Sequence, residues 1–229
     1  VSVPVAVLAS GGGSNLQALI DDTAAGAQPV PYRVALVISD RAGAGALERA
    51  RRHGIPALHL PVRDRPEEAV ADELLAACSA HDIGLIALAG YLRLVPPPVT
   101  AAYSASIINI HPALLPAFGG PGMYGLHVHR AVIAAGCTVS GATVHRVTDA
   151  YDAGRIIAQW PVPVLPGDTA EELAARVRTI EHLLYPAVVR ALAGGTSFHA
   201  PAPAATAAFR LAAGDSGELR RGILHLARL

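Results

Sequence analysis

The chain has 229 residues, 52% hydrophobic but only 4% aromatic, so its core must be built from alanine, valine, leucine and isoleucine, in one large domain or two small ones. Eighteen acidic residues balance eighteen basic ones, which removes the electrostatic case for a nucleic-acid partner. All the basic residues are arginine, which excludes a Schiff-base lysine and a P-loop lysine, and no apolar run reaches the length of a membrane span.

Cys78 and Cys137 show no metal-ligand spacing and read as two reduced, buried thiols of a cytoplasmic protein. In chain order, Val5 to Ala9 is a short aliphatic strand, followed by Ser10-Gly11-Gly12-Gly13-Ser14-Asn15 and a helix from Leu16. The glycines let backbone approach a ligand closely, and the helix start presents free N–H groups to an anion. The loop lacks the lysine of a nucleotide P-loop and the last glycine of a dinucleotide fingerprint. It suits a small phosphate monoester, or it is only a tight strand-to-helix turn. Val34 to Ile38 reads as a second strand, Ala44 to His53 as a helix closed by Gly54, and Ala57 to Leu60 as a weaker strand. Pro66 to His81 is an amphipathic helix with its acids early. Ile83 to Ala89 is a strong fourth strand ending in Gly90-Tyr91-Leu92-Arg93-Leu94-Val95, where Arg93 is either a solvated surface residue or reaches into a site.

After Pro96-Pro97-Pro98 comes the run Ile107-Ile108-Asn109-Ile110-His111-Pro112. It reads as a buried strand stopped by a proline that cannot donate to a sheet ladder. Asn109 and His111 lie two apart, so they share one strand face, either as a buried hydrogen-bonded pair or as the edge of a site. Up to this point strand and helix alternate, the pattern of a parallel doubly wound sheet. The chain then changes. Ala117 to Tyr124 is a glycine- and proline-rich loop expected to be mobile, and Gly125 opens a helix through Ala135. Thr138 to Val147 and Arg155 to Val164 are two strands whose short connection implies antiparallel pairing. Thr169 to Ala193 is a long amphipathic helix on which Arg178 and Glu181 share a face and are placed to pair with each other. The expected fold is α/β, a mostly parallel Rossmann-like sheet with helices on both faces, extended by antiparallel strands in the C-terminal half. Residues 1–194 form its domain, and 195–229 an extension with two short strands at Phe209-Arg210-Leu211 and Gly222 to Leu226. His111, His127, His129 and His145 are possible metal ligands, but His127 and His129, two apart at a helix start, do not face each other, and no metal is expected.

Five segments then carry a resemblance: Ser10 to Ala18, Ala89-Gly90-Tyr91-Leu92-Arg93, Asn109-Ile110-His111-Pro112-Ala113-Leu114-Leu115-Pro116, Gly141-Ala142-Thr143-Val144-His145, and Asp152-Ala153-Gly154-Arg155-Ile156-Ile157-Ala158-Gln159. In order and spacing they resemble the folate-dependent formyltransferases, in the branch acting on glycinamide ribonucleotide. The resemblance implies transfer of the formyl group of 10-formyltetrahydrofolate, a co-substrate, to the amine of 5′-phosphoribosylglycinamide in de novo purine biosynthesis. It makes Asn109, His111 and Asp152 the catalytic residues, with Asp152 keeping the histidine charged. It assigns Gly12, Gly13, Ser14, Asn15, Gly90, Arg178 and Glu181 to the phosphoribosyl substrate. Arg65, Leu92, Arg93, Leu94, Val95, Asn109, Val147, Thr148 and Asp152 fall to the folate. On this view residues 1–111 are a phosphate-binding half and 112–194 a catalytic and folate-binding half, in a cytoplasmic monomer or homodimer. The alternatives are a formyltetrahydrofolate deformylase, which usually has a further domain ahead of the sheet, and a formyltransferase for a sugar nucleotide, which should lack this phosphate loop.

Overall fold

The computed structural model describes residues 2–24 and 30–196. Seven strands form one sheet: β1 (Val3–Leu8), β2 (Tyr32–Ser39), β3 (Ala57–His59), β4 (Leu85–Leu88), β5 (Ile107–His111), β6 (Val139–Arg146) and β7 (Ile156–Pro163). Their order across the sheet is β3-β2-β1-β4-β5-β6-β7. The first five pair in parallel, and β6 and β7 add by antiparallel pairing. Because side chains alternate along a strand, Val5, Val7 and Ala9 enter one core while Ala6 and Leu8 enter the other. The first core is closed by α1 (Ser14–Ala24), α2 (Gly45–Arg52), α5 (Leu126–Ala134) and α6 (Ala170–Ala193). The second is closed by α3 (Glu67–Ala80) and α4 (Pro97–Ala102). The order in which successive strands are laid down switches from one side of β1 to the other between β3 and β4, and in such sheets the crevice beyond the strand ends at that switch point, between β1 and β4, takes the ligand.

The expected architecture is therefore present, with differences at the edges. Helix α4 is not among the elements expected from the sequence, since three prolines stand at its start. Pro97 is nonetheless at home in a first turn, where its missing N–H has no intrahelical partner to lose. Helix α6 starts with a reciprocal capping box, Thr169 with Glu172, which fixes the end of the connection from β7. Cys78 is buried as expected, but Cys137 is only half-buried, and both thiols are free. The strands expected at Phe209 to Leu211 and Gly222 to Leu226 lie outside the described residues, as does almost all of the expected extension.

Tyr185, buried in the middle of α6, sends its hydroxyl to the Leu88 carbonyl at 2.8 Å and the Ile108 carbonyl at 3.4 Å. It thereby ties α6 to the last residue of β4 and to the first half of β5, the two strands that carry the crevice. We expect Tyr185→Phe to lower unfolding free energy by about 1–3 kcal/mol, the usual cost of leaving buried carbonyls unpaired. A urea melt unchanged within about 0.5 kcal/mol, the scale of a bland surface change, would contradict that role.

Candidate active site

A cavity of about 520 Å³ opens at the C-terminal ends of β1, β4 and β5, well within the size range of small-molecule sites. Asn109 and His111 lie on its wall, two apart on β5 as the sequence predicts. His111 is buried. One ring nitrogen, Nε2, lies 2.8 Å from the carbonyl of Phe118 and the other, Nδ1, lies 3.5 Å from Asp152 Oδ2. A carbonyl can only accept, so Nε2 carries a hydrogen whether the ring is neutral or charged. Nδ1, on the Asp152 side, is therefore the nitrogen that gains and loses the proton.

Asp152 holds a second imidazole. Its Oδ1 lies 3.5 Å from His145 Nε2, and its Oδ2 accepts the Gly120 N–H at 2.9 Å. Burial pushes the Asp152 carboxyl up, but the His145 hydrogen bond, the His111 charge and the Gly120 N–H together carry it below its ordinary value. His111 is opposed differently. Burial pulls its pKa down, and the Asp152 carboxylate and the Phe118 carbonyl only partly offset that, so the net direction is downward. The carboxylate is thus in reach of the histidine and favours the charged ring, while burial, the larger effect, moves the His111 pKa the other way.

His145 is the site residue that sequence reasoning weighed only as a metal ligand. It sits directly opposite Asn109 in the β5–β6 pairing. Its Nδ1–H donates to the Arg146 carbonyl at 2.7 Å, so in the neutral ring Nε2 accepts from Asn109 Nδ2 at 3.1 Å. That bond uses one of the two amide hydrogens and leaves the other for a ligand oxygen. The signal was available in principle, because β5 and β6 alternate and an antiparallel register sets His145 beside Asn109.

The loop that carries Asp152 is rigidly constrained. Asp152 itself has a positive φ of 53°. Two residues on, a Cβ at Gly154 would come within 1.8 Å of the Arg146 carbonyl oxygen, so only glycine lets this loop fold back against β6. The Ala117 to Tyr124 segment, expected to be mobile, is tied down by the Phe118 and Gly120 contacts to His111 and Asp152.

At the other end of the cavity, α1 begins at Ser14, so the N–H groups of its first turn have no intrahelical partner. Ser14 and Asn15 line the cavity with Gly90, Arg178 and Glu181, whereas Gly12 and Gly13 are not among the lining residues. Arg178 and Glu181 do not form the ion pair their spacing allows. Glu181 instead accepts from Asn15 Nδ2 at 3.2 Å, and burial drives its carboxyl upward against that bond and the Arg178 charge. Leu92, Arg93, Leu94, Val95, Val147, Thr148 and Asp152 line a further wall with Tyr91 and Tyr151. Ser10 ties this wall to the glycine loop by accepting the Leu92 N–H at 2.9 Å. Arg93 is half-exposed and donates to buried Asp40 at 3.2 Å. Arg65 is not brought to the cavity: it pairs with Glu73 at 2.8 Å and donates to the Pro61 carbonyl. Both ends of the cavity draw on both halves of the chain. Among the described residues no cluster of histidine, cysteine and carboxylates has metal-site geometry, and no helix there is long and apolar enough to cross a membrane. His127 and His129 diverge as expected. His127 stacks edge-on against Tyr124, while His129 is buried on the cavity side.

Comparison with known proteins agrees with this geometry. The family model described as formyl transferase matches residues 3–189, and the chain belongs to that family. Within it, the chain is similar to proteins named phosphoribosylglycinamide formyltransferase. One from Vigna unguiculata, a chloroplastic protein by name, is 45% identical over 82% of this chain and 60% of its own length. One from Escherichia coli is 39% identical over 83% of this chain and 87% of its own length. The crystal structure of glycinamide ribonucleotide transformylase 1 from Symbiobacterium toebii superposes with a TM-score of 0.78 at 46% identity, covering 85% of this chain and 89% of that one. A formyltetrahydrofolate deformylase from Pseudomonas syringae has a TM-score of 0.75 at 27% identity, with 85% of this chain and 62% of that one covered. The chain thus spans about three-fifths of the plant relatives it matches.

Burial, followed by the positive charges of Arg178 and His111, lowers the pKa of His129 to about 4. The unfolded chain takes up that proton near pH 6.5. Its contribution to stability is therefore complete above pH 6.5 and is lost as pH falls from 6.5 toward 4. We expect the urea midpoint to drop over this window in the parent protein and to drop less steeply in His129→Gln. Equal slopes would contradict the assignment.

Proposed function

We propose that this chain transfers the formyl group of 10-formyltetrahydrofolate to the amine of 5′-phosphoribosylglycinamide, a step of de novo purine biosynthesis. The observation that carries the reading is the composition of this cavity. An anion-seeking helix start with Arg178 and Glu181 stands at one end, a largely apolar wall of Tyr91, Leu92, Leu94, Val95, Val147 and Tyr151 at the other, and the Asn109–His111–Asp152 group between them. The phosphoribosyl substrate would place its phosphate at Ser14 and Asn15 and its ribose hydroxyls toward Glu181. The folate would lie against the apolar wall, and no metal is needed for the chemistry.

The amine nitrogen attacks the formyl carbon, forming a C–N bond as the carbonyl π pair moves to the formyl oxygen. The free amide hydrogen of Asn109 is a neutral donor for that developing charge, and His111 with Nδ1 protonated adds a positive charge beside it. A growing negative charge also offsets the desolvation that disfavours imidazolium at rest. The tetrahedral adduct then breaks its bond to the folate nitrogen, which leaves with a proton, while the former amine gives one up. His111 Nδ1 and Asp152 form the route by which that proton moves. Holding two substrates in one cavity supplies much of the acceleration. One chain contributes all these residues, so the mechanism serves a monomer or a homodimer alike. Residues 1–194 are its catalytic unit, and the two free thiols fit a cytoplasmic location.

The test is release of tetrahydrofolate from 10-formyltetrahydrofolate with and without phosphoribosylglycinamide. Release that requires the amine and yields the formylated product is the expected result. Release in its absence would instead make the chain a deformylase, with water as acceptor, the reading that the Pseudomonas structure keeps in view.

His111→Ala and Asp152→Asn should each lower kcat by about 10²–10⁴, the range of lost general acid–base catalysis. Affinity for the phosphoribosyl substrate should stay within about twofold, well under the 1.4 kcal/mol that makes a factor of ten. Near-normal turnover in Asp152→Asn would remove it from the mechanism.

A further inference from the structure

Gly12 and Gly13 belong to the glycine loop, yet the surface they turn to the protein is not the cavity but helix α2. The Ala46 N–H donates to the Gly11 carbonyl at 3.1 Å. Arg49, one turn on, donates from Nε to the Gly12 carbonyl at 2.7 Å and from Nη1 to Gln17 Oε1 at 3.0 Å. Gln17 is on α1, and its amide nitrogen is engaged by Asp21 Oδ1 at 2.8 Å and His53 Nε2 at 3.1 Å, which leaves its oxygen for Arg49. The approach is close. A Cβ at Gly13, where φ is +74°, would lie 2.9 Å from the Ala46 Cα, and one at Gly45 would lie 3.2 Å from the Gly12 carbonyl oxygen.

Peptide geometry turns this into a statement about the ligand side. In a trans peptide the C=O and N–H point in opposite directions. The Gly11 carbonyl shares a peptide with the Gly12 N–H, and the Gly12 carbonyl with the Gly13 N–H. Turning both carbonyls toward α2 turns both N–H groups away from it. Three successive glycines would otherwise sample many orientations, and fixing them is entropically costly. We propose that Arg49 is a positioning residue for the phosphate end of the site, locking the Gly12–Gly13 peptide and the first turn of α1 into a donor array for a phosphate monoester. This rests on the function proposed above and adds to it a residue that touches neither substrate. Its planar fork matters, because Nε and Nη1 reach the loop and α1 at once, whereas a lysine ammonium is a point donor.

The test uses Arg49→Met, which keeps the side-chain bulk but removes both donors, and Arg49→Lys, which keeps the charge without the fork. In Arg49→Met we expect KM for phosphoribosylglycinamide to rise about tenfold, the value of one charge-assisted hydrogen bond. KM for 10-formyltetrahydrofolate and kcat should stay within about twofold, and Arg49→Lys should recover only part of the loss. Calorimetric binding of ribose 5-phosphate should weaken by the same factor, and this readout does not depend on formyl transfer. An unchanged KM and ribose 5-phosphate affinity in Arg49→Met would overturn the proposal, as would equal damage to both KM values and kcat. If the parent protein transfers no formyl group yet binds ribose 5-phosphate in an Arg49-dependent way, the reaction assignment fails and the positioning role stands.

Discussion

The site depends on one carboxylate placed between two buried imidazoles. Asp152 meets His111 Nδ1 and His145 Nε2 at 3.5 Å each and takes a backbone N–H from Gly120. Without it, His111 Nδ1 would sit in a desolvated wall with no carboxylate beside it to take its proton. Three features of the fold meet at that residue. The β5–β6 register brings Asn109 and His145 together. The close return of Gly154 onto Arg146 sets the loop. The Phe118 to Gly120 turn closes over both His111 and Asp152. Each is a backbone constraint, so the electrostatics of the site are a consequence of how the sheet is extended beyond its parallel part.

The two ends of the cavity obey different physics. At the phosphate end the donors are backbone N–H groups, whose direction is set by what the carbonyls on the opposite side bind. At the apolar end, recognition rests on side chains from two strand-end loops that Ser10 holds in register. Between them the reactive group is nearly free of solvent, where a hydrogen bond to a developing oxyanion is worth more than in water.

Much of the fold was legible in the chain because its signals are local. Aliphatic runs marked the five parallel strands, with Pro61, Gly90 and Pro112 closing β3, β4 and β5, and the short 148–154 connection revealed antiparallel pairing. Helix α4 was hidden because proline normally signals a break, and only its position in a first turn makes it permissible. Within the site, Asn109, His111, Ser14 and Asn15 were visible as polar residues at strand ends. The role of Asp152 was implied by resemblance, since no local pattern links it to a histidine 41 residues earlier. His145 was underread because its meaning lies in a cross-strand register. Arg65 was misplaced because an arginine's reach says nothing about its partner, and here Glu73 is nearer than the cavity. The net direction of the His111 pKa was illegible for a similar reason: it is the difference between burial and a neighbouring charge, and sequence supplies the charge without the burial.

In this mechanism His111 keeps its hydrogen on Nε2 and exchanges the catalytic proton at Nδ1, opposite Asp152. Nitrogen-15 NMR of the protein labelled at histidine measures this directly. At pH 7 the His111 ring is expected to be the Nε2–H tautomer, with Nδ1 alone titrating as pH falls and Asp152→Asn moving that titration to still lower pH. A neutral Nδ1–H tautomer, or a titration indifferent to Asp152→Asn, would contradict it.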